Sequence, residues 1–182
     1  MHLMVDFETL DTAPSAIVVS LGAAIFKRDG VLGSFYRVLN IDEQIELGRT
    51  MSADTLRWWF TQSKEAQSPF HAPVNEKVSL LSCIKDLMLF CEKHLQEDNN
   101  NWAGINIWGN GACFDPPILD SMFRDLGMEI PYKFWNIACY RTFEKLTKCK
   151  ALVERQGTHH NAEDDAIYQA ETMIAYFNRN KK

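Results

Sequence analysis

The feature that most restricts this chain is the run from Met1 to Glu8, mostly apolar, with two carboxylates set two positions apart at Asp6 and Glu8. Successive side chains of a strand alternate faces, so a strand here puts Asp6 and Glu8 on one face and Val5 and Phe7 on the other. Two carboxylates side by side in a mostly buried strand repel. A hard divalent cation such as Mg²⁺ or Mn²⁺, which prefers oxygen ligands, would offset that repulsion. An isolated Asp-x-Glu triplet is common, and a solvated edge strand accommodates one equally well. Distant partners have to decide between the two.

A length of 182 residues suits one domain with a sizeable core. The net charge of −5 argues against binding nucleic acid through a broadly basic surface, but says little about a local site. If four acidic residues surround two divalent ions, the rest of the chain carries only about −1. No charged leader with an apolar core precedes Asp6 and no run reaches membrane-spanning length, so neither a secretory signal nor a membrane span is expected. The cysteines (Cys83, Cys91, Cys113, Cys139 and Cys149) are odd in number and lack a C-x-x-C spacing. That pattern indicates neither a disulfide framework nor a zinc knuckle, and a reducing cytoplasm is the simplest compartment.

Turn formers from Thr9 to Ser15 separate the first run from a second, Ala16 to Phe26, which is almost wholly apolar and reads as a buried strand. Lys27 to Gly30 supplies a hairpin turn and Val31 to Leu39 the returning strand, so three antiparallel strands come first. Ser52 is placed to cap a helix from Ala53 to Ser63. Trp58, Trp59 and Phe60 lie in its middle and spread over most of the circumference, so at least one belongs at an edge, beside a cleft or packed on the core. Residues 67–74, with two prolines, read as a loop, and Asn75 to Leu95 carries apolar residues at spacings of three and four, as a long amphipathic helix does. Ile105 to Trp108 reads as a short buried strand ended by Gly109-Asn110-Gly111.

Phe114-Asp115-Pro116-Pro117 then marks a strand-to-helix junction, because Asp caps helices and Pro is tolerated in their first turn. Asp115 could therefore be a cap alone, although functional groups gather at the carboxyl ends of strands in open sheets. Ile137 to Leu146 reads as a helix. Arg141, Lys145, Lys148, Lys150 and Arg155 give the following segment a local excess of positive charge, suited to a solvated face or to phosphate. Ala162 to Asn178 closes the chain as a helix whose first turn holds Glu163, Asp164 and Asp165, where the helix dipole favours acids. One α/β domain over 1–182 accounts for the whole pattern.

Asp6-x-Glu8, Phe114-Asp115 and His160-x-x-x-x-Asp165, in that order along nearly the whole chain, resemble the three motifs of the DEDD exonucleases in their histidine (DEDDh) branch. Trp108 to Asp115, Thr55 to Gln62 and Tyr140-Arg141-Thr142 look like the group related to exodeoxyribonuclease VIII, which includes phage exodeoxyribonucleases and bacterial exoribonucleases. The resemblance implies a ribonuclease H-like fold, a mixed sheet flanked by helices, and hydrolysis of phosphodiesters from single-stranded 3′ ends. It also implies two divalent ions, Mg²⁺ or Mn²⁺, on Asp6, Glu8, Asp115 and Asp165, with His160 as general base. In-line attack needs an activated water, a clamp on the phosphorus and a stabilised leaving oxygen, which two ions roughly 3.5 to 4 Å apart supply together, and an imidazole titrating near neutrality suits the proton transfer.

His159 with Asp164 satisfies the same spacing. His160 with Asp165 is chosen because Asp165-Ala166-Ile167 resembles the family's continuation. By the same resemblance Thr9, Leu10 and Trp59 line the cleft and Arg141 contacts phosphate or sugar. DNA is slightly favoured over RNA, a homodimer is allowed for, and nucleoside 5′-monophosphates are the products. An exoribonuclease or oligonucleotidase of the same fold and a non-catalytic binding module are the competing readings.

Overall fold

The structure, a computed structural model, describes residues 1–179, so residues 180–182 of the expected domain lie outside the described residues. The first strand, β1 (His2–Thr9), is buried on both faces and becomes the middle strand of a five-stranded sheet. It pairs antiparallel with β2 (Val18–Lys27), which pairs antiparallel with β3 (Gly30–Val38). On its other side β1 pairs in parallel with β4 (Asn106–Gly109), which pairs in parallel with β5 (Ile137–Cys139). The sheet is thus mixed, in the order β3-β2-β1-β4-β5.

Helices cover both faces, in the ribonuclease H-like arrangement. Leu3, Val5 and Phe7 point to one side, where they pack with Leu80, Ile84 and Leu87 of α4 (Leu80–Glu97) and Ile118 and Met122 of α5 (Asp115–Asp125). Met4 points to the other, where Tyr140, at the start of α6 (Tyr140–Thr147), meets Ala166, Ala170 and Met173 of α7 (Ala162–Arg179). The strand alternation leaves Asp6 and Glu8 on the α7 side. Among the described residues no helix is long and apolar enough to cross a membrane.

Several boundaries differ from the sequence expectation, and each difference has a tertiary cause. The β2 ladder begins at Val18 because Ile17 hydrogen-bonds Thr50 and Leu10 instead, across an irregularity at Glu8 and Thr9. The second helix, α2 (Ala53–Trp59), keeps its Ser52 cap but closes into a turn after Trp59. It follows a short α1 (Ile41–Glu46) whose buried Gln44 bonds both backbone groups of Val18. The proline segment forms one turn, α3 (Ser68–His71), rather than a loop, since Pro69 sits where a first turn tolerates it. α4 starts at Leu80 and not at Asn75: Val78 exchanges hydrogen bonds with Val38 and Asn40, and Ser79 caps the helix. Residues 137–139 are strand and not helix because β4 offers them an open edge.

α7 can lie this close to the sheet only because Gly22, the cross-strand partner of Asp6, has no side chain. A Cβ there would fall 2.0 Å from the carbonyl carbon of Ala162 and 2.2 Å from the amide nitrogen of Glu163. Backbone atoms cannot give way as a side-chain end can. Gly22→Ala is therefore expected to cost about 3 kcal/mol or more in urea denaturation, and a midpoint equal to that of the parent would refute the close packing.

Candidate active site

Three parts of the chain meet at the carboxyl end of β1. Asp6 and Glu8 come from the strand itself and are nearly buried. Asp115 comes from the β4–α5 junction, where Gly109 leaves room for it: a Cβ at Gly109 would meet the Asp115 carboxylate at 2.8 Å. Asp115 does not cap its helix; its Oδ1 accepts the N–H of Phe7, 3.2 Å away, so the carboxylate is bound directly to β1. Asp165 comes from the first turn of α7, where Oδ2 accepts the N–H of His160 at 3.0 Å and Oδ1 receives the guanidinium of Arg155.

The two histidine registers separate in space. His160 and Asp165 join Glu8 in a group whose ligand atoms lie within 4.8 Å of one another. Asp164 turns away to accept the N–H of Thr158 at 2.7 Å, beside Gly157 at φ +78. His159 lines the cleft next to His160. His160 adopts a left-handed backbone, φ +62, which is rare for a residue with a side chain and is held by the bond to Asp165. Its ring is seated edge-on against Trp58, with centroids 4.9 Å apart.

The carboxylates are too close for all to ionise unaided. Burial pushes Asp6 well above the usual carboxylate range, and the charges of Asp115, Glu8 and Asp165 push it further. Burial, then Asp165 and Asp115, raises Glu8 to about 8. Burial raises Asp115 to about 7 against the opposing pull of the Phe7 and Asn110 N–H groups. His160 is lowered, by burial first, against the opposing charge of Asp165. A divalent cation fits this donor set: the carboxylates offer hard oxygens, their charge is unbalanced, and Oδ2 of Asp115 is buried with no hydrogen-bond partner among the described residues.

These groups line one cleft of about 770 Å³, together with Phe7, Thr9, Trp58, Trp59, Asn110, Phe114, Tyr140, Arg141, Lys150, Arg155, Tyr168 and Gln169. Thr9 and Arg141 are both among these lining residues. Leu10 is not on the cleft surface; it lies past the end of β1 and the register shift at Glu8 and Thr9, buried behind the cleft with Ile17, Val19 and Trp59. Trp59 is likewise mostly buried and donates from Nε1 to the Thr9 carbonyl at 2.8 Å, while the exposed tryptophan of the pair is Trp58. Sequence reading did not single out Gln169, whose Nε2 donates to Oδ1 of Asp6 at 2.9 Å. Its position four residues after Asp165, on the same helix face, is the signal that points to it. Arg155 was legible only as one charge in a basic segment, although its guanidinium also stacks over Tyr168.

Residues 1–177 match the family model described as the 3′-5′ exoribonuclease Rv2179c-like domain. The chain belongs to that family. It is accordingly a 3′-5′ exonuclease. Solved structures share its fold at low identity. The nuclease domain of 3′hExo, a DEDDh family member bound to rAMP, is 12% identical at a TM-score of 0.63, over 98% of this chain and 92% of that one. Exonuclease X in complex with 5′ overhanging duplex DNA is 14% identical at 0.55, over 100% and 94%. Cell-death related nuclease 4 is 14% identical at 0.56, over 98% and 64%. No curated protein matches the chain.

The raised carboxyls set a pH dependence whose sign is fixed. Groups whose folded values exceed their unfolded ones bind more protons when folded, so they favour folding fully below the unfolded carboxylate range and lose that effect as pH climbs through about 7 for Asp115 and about 8 for Glu8. In chelator the melting midpoint should fall as pH rises from about 5 to about 8, a change on the order of a few kcal/mol. Mn²⁺ should restore more stability at the upper end of that range and release protons as it binds, measurable by calorimetry in buffers of different ionisation enthalpy. A midpoint in EDTA that is flat over this range would contradict the crowding.

Proposed function

We propose that this chain is a 3′ to 5′ exoribonuclease acting on single-stranded ends and releasing nucleoside 5′-monophosphates, with residues 1–182 forming one exonuclease domain. The observation that carries the reading is the convergence of Glu8, His160 and Asp165 within 4.8 Å on the cleft that Asp6 and Asp115 also line. RNA is preferred because the family model is described as an exoribonuclease domain. The slight DNA preference inferred from the exodeoxyribonuclease VIII-like segments around Trp108 to Asp115 is the second reading, supported by the DNA bound to Exonuclease X. The free cysteines suit a reducing cytoplasm.

Asp6, Glu8, Asp115 and Asp165 would hold two divalent ions, Mg²⁺ or Mn²⁺. Bound there, such ions neutralise the carboxylates and lend Lewis acidity to the scissile phosphate. The chain's own groups do the rest. His160 is half-buried, and burial favours its neutral form, in which one ring nitrogen can take the proton from the attacking water. Asp165 holds that ring in place through the His160 N–H, and Trp58 closes its edge. Arg141, at the start of α6, also lines the cleft and offers a positive charge to phosphate. Trp59 acts from behind, holding the Thr9 carbonyl and so the shape of the floor on which the terminal nucleotide rests.

Matched 5′-labelled single-stranded RNA and DNA, incubated with Mg²⁺, Mn²⁺ or EDTA, test this directly. A metal-dependent ladder shortening from the 3′ end, faster on RNA and absent with Asp6→Ala, is expected; faster loss of DNA would favour the second reading. His160→Ala should lower kcat by a factor of about 10² to 10⁴, while His159→Ala keeps most of the activity. The reverse pattern would assign the base to His159.

A further inference from the structure

Gln169 is the one neutral side chain among those that hold the carboxylates, and it is 4% exposed. It projects from α7 one turn beyond Asp165, and the small Ala166 and Ala170 beside it let the helix sit low on the sheet. Its amide orientation is fixed by its neighbour. Nε2 faces Oδ1 of Asp6 at 2.9 Å, and with Asp6 ionised, as it would be beside a bound cation, exchanging the amide nitrogen and oxygen would set two acceptors against each other. That leaves Oε1 buried on the cleft wall with no hydrogen-bond partner among the described residues. A buried acceptor without a donor is uncommon, and an apolar side chain of the same size would avoid it.

We propose that Gln169 is a positioning residue for Asp6. Its N–H holds Oδ1 and thereby aims the carboxylate at the divalent ions, while Oε1 accepts a hydrogen bond from a water or hydroxyl that enters the cleft with them. The inference rests on the cation site proposed above. Each half of the amide then has a use that neighbouring residue types lack. A glutamate would oppose Asp6 with a further charge, a lysine would neutralise it and compete with the cation, and a leucine or methionine would leave its orientation to chance.

Mn²⁺ binding to the full chain, measured by calorimetry at about pH 8 without nucleic acid, tests the proposal, with melting in EDTA as the control for folding. Gln169→Met fills the same space without either polar group; Gln169→Leu serves if the first variant is unstable. The expected result is Mn²⁺ affinity weaker by about tenfold or more and a melting midpoint in EDTA near that of the parent. Thr172→Val, on the same helix as Gln169, removes the hydroxyl that donates to the Gln169 carbonyl and bonds Tyr140 of α6; it loosens the helix there without touching the Gln169 side-chain amide and should leave the affinity unchanged. Parent-like affinity in both Gln169 variants would overturn the proposal, and so would an equal loss in Thr172→Val, because general loosening of α7 would then explain it. Asp6→Ala separates the two levels. Full Mn²⁺ binding there overturns the cation site itself, whereas loss there beside parent-like binding in Gln169→Met overturns only the role of Gln169.

Discussion

Repulsion among buried carboxylates is the constraint from which the rest of this structure follows. Asp6, Glu8, Asp115 and Asp165 are gathered around the end of one strand, and no packing of apolar groups can offset that crowding. The fold answers with donors supplied one at a time. The Phe7 N–H serves Asp115, the His160 N–H and Arg155 serve Asp165, and the Gln169 amide serves Asp6. The N-terminal end of α7 adds its dipole. Apart from the Arg155 pair, these contacts hold the acids in place without cancelling their charge, which keeps their cation-binding capacity.

Holding the acids requires backbone segments to approach more closely than side chains allow. Gly22 admits the first turn of α7, Gly109 admits the Asp115 carboxylate, and alanines on α7 keep the helix low. The segment after β1 is tied down differently. Arg49, almost wholly buried, donates to the carbonyls of Pro14 and Ala16 and pairs with Asp125 near the end of α5, so the loop after β1 and the helix carrying Asp115 are fastened together. A guanidinium can do this because its planar fork serves several acceptors at once.

The aromatic cluster of α2 divides the same way between support and surface. Trp59 is enclosed by Leu10, Ile17 and Val19 and anchors the Thr9 carbonyl. Trp58 stays exposed at the rim, where it packs against His160, and Phe60 faces outward. Consecutive helical residues point in directions about 100° apart, so three adjacent aromatics cannot share one environment. Which of them reaches the cleft depends on the tilt of a seven-residue helix, and the helix tilt is set by contacts far away in the chain.

The sequence alone determined what local physics controls. Strand alternation put Asp6 and Glu8 together opposite Val5 and Phe7, the turn at Lys27 to Gly30 joined two antiparallel strands, and the Ser52 cap started α2. The order of the three acidic motifs pointed to a 3′-5′ exonuclease and its mixed sheet. Tertiary structure decided whatever depends on a distant partner. It made residues 137–139 a strand because β4 presented an edge, shortened α4 because Val78 was needed beside β3, and moved Leu10 behind the cleft. It also separated Asp165 from Asp164, which share a helix turn and a spacing from a histidine. Only the direction of each side chain distinguishes them, one toward Glu8 and the other toward the Thr158 N–H, and that direction exists only once α7 has docked on Gly22.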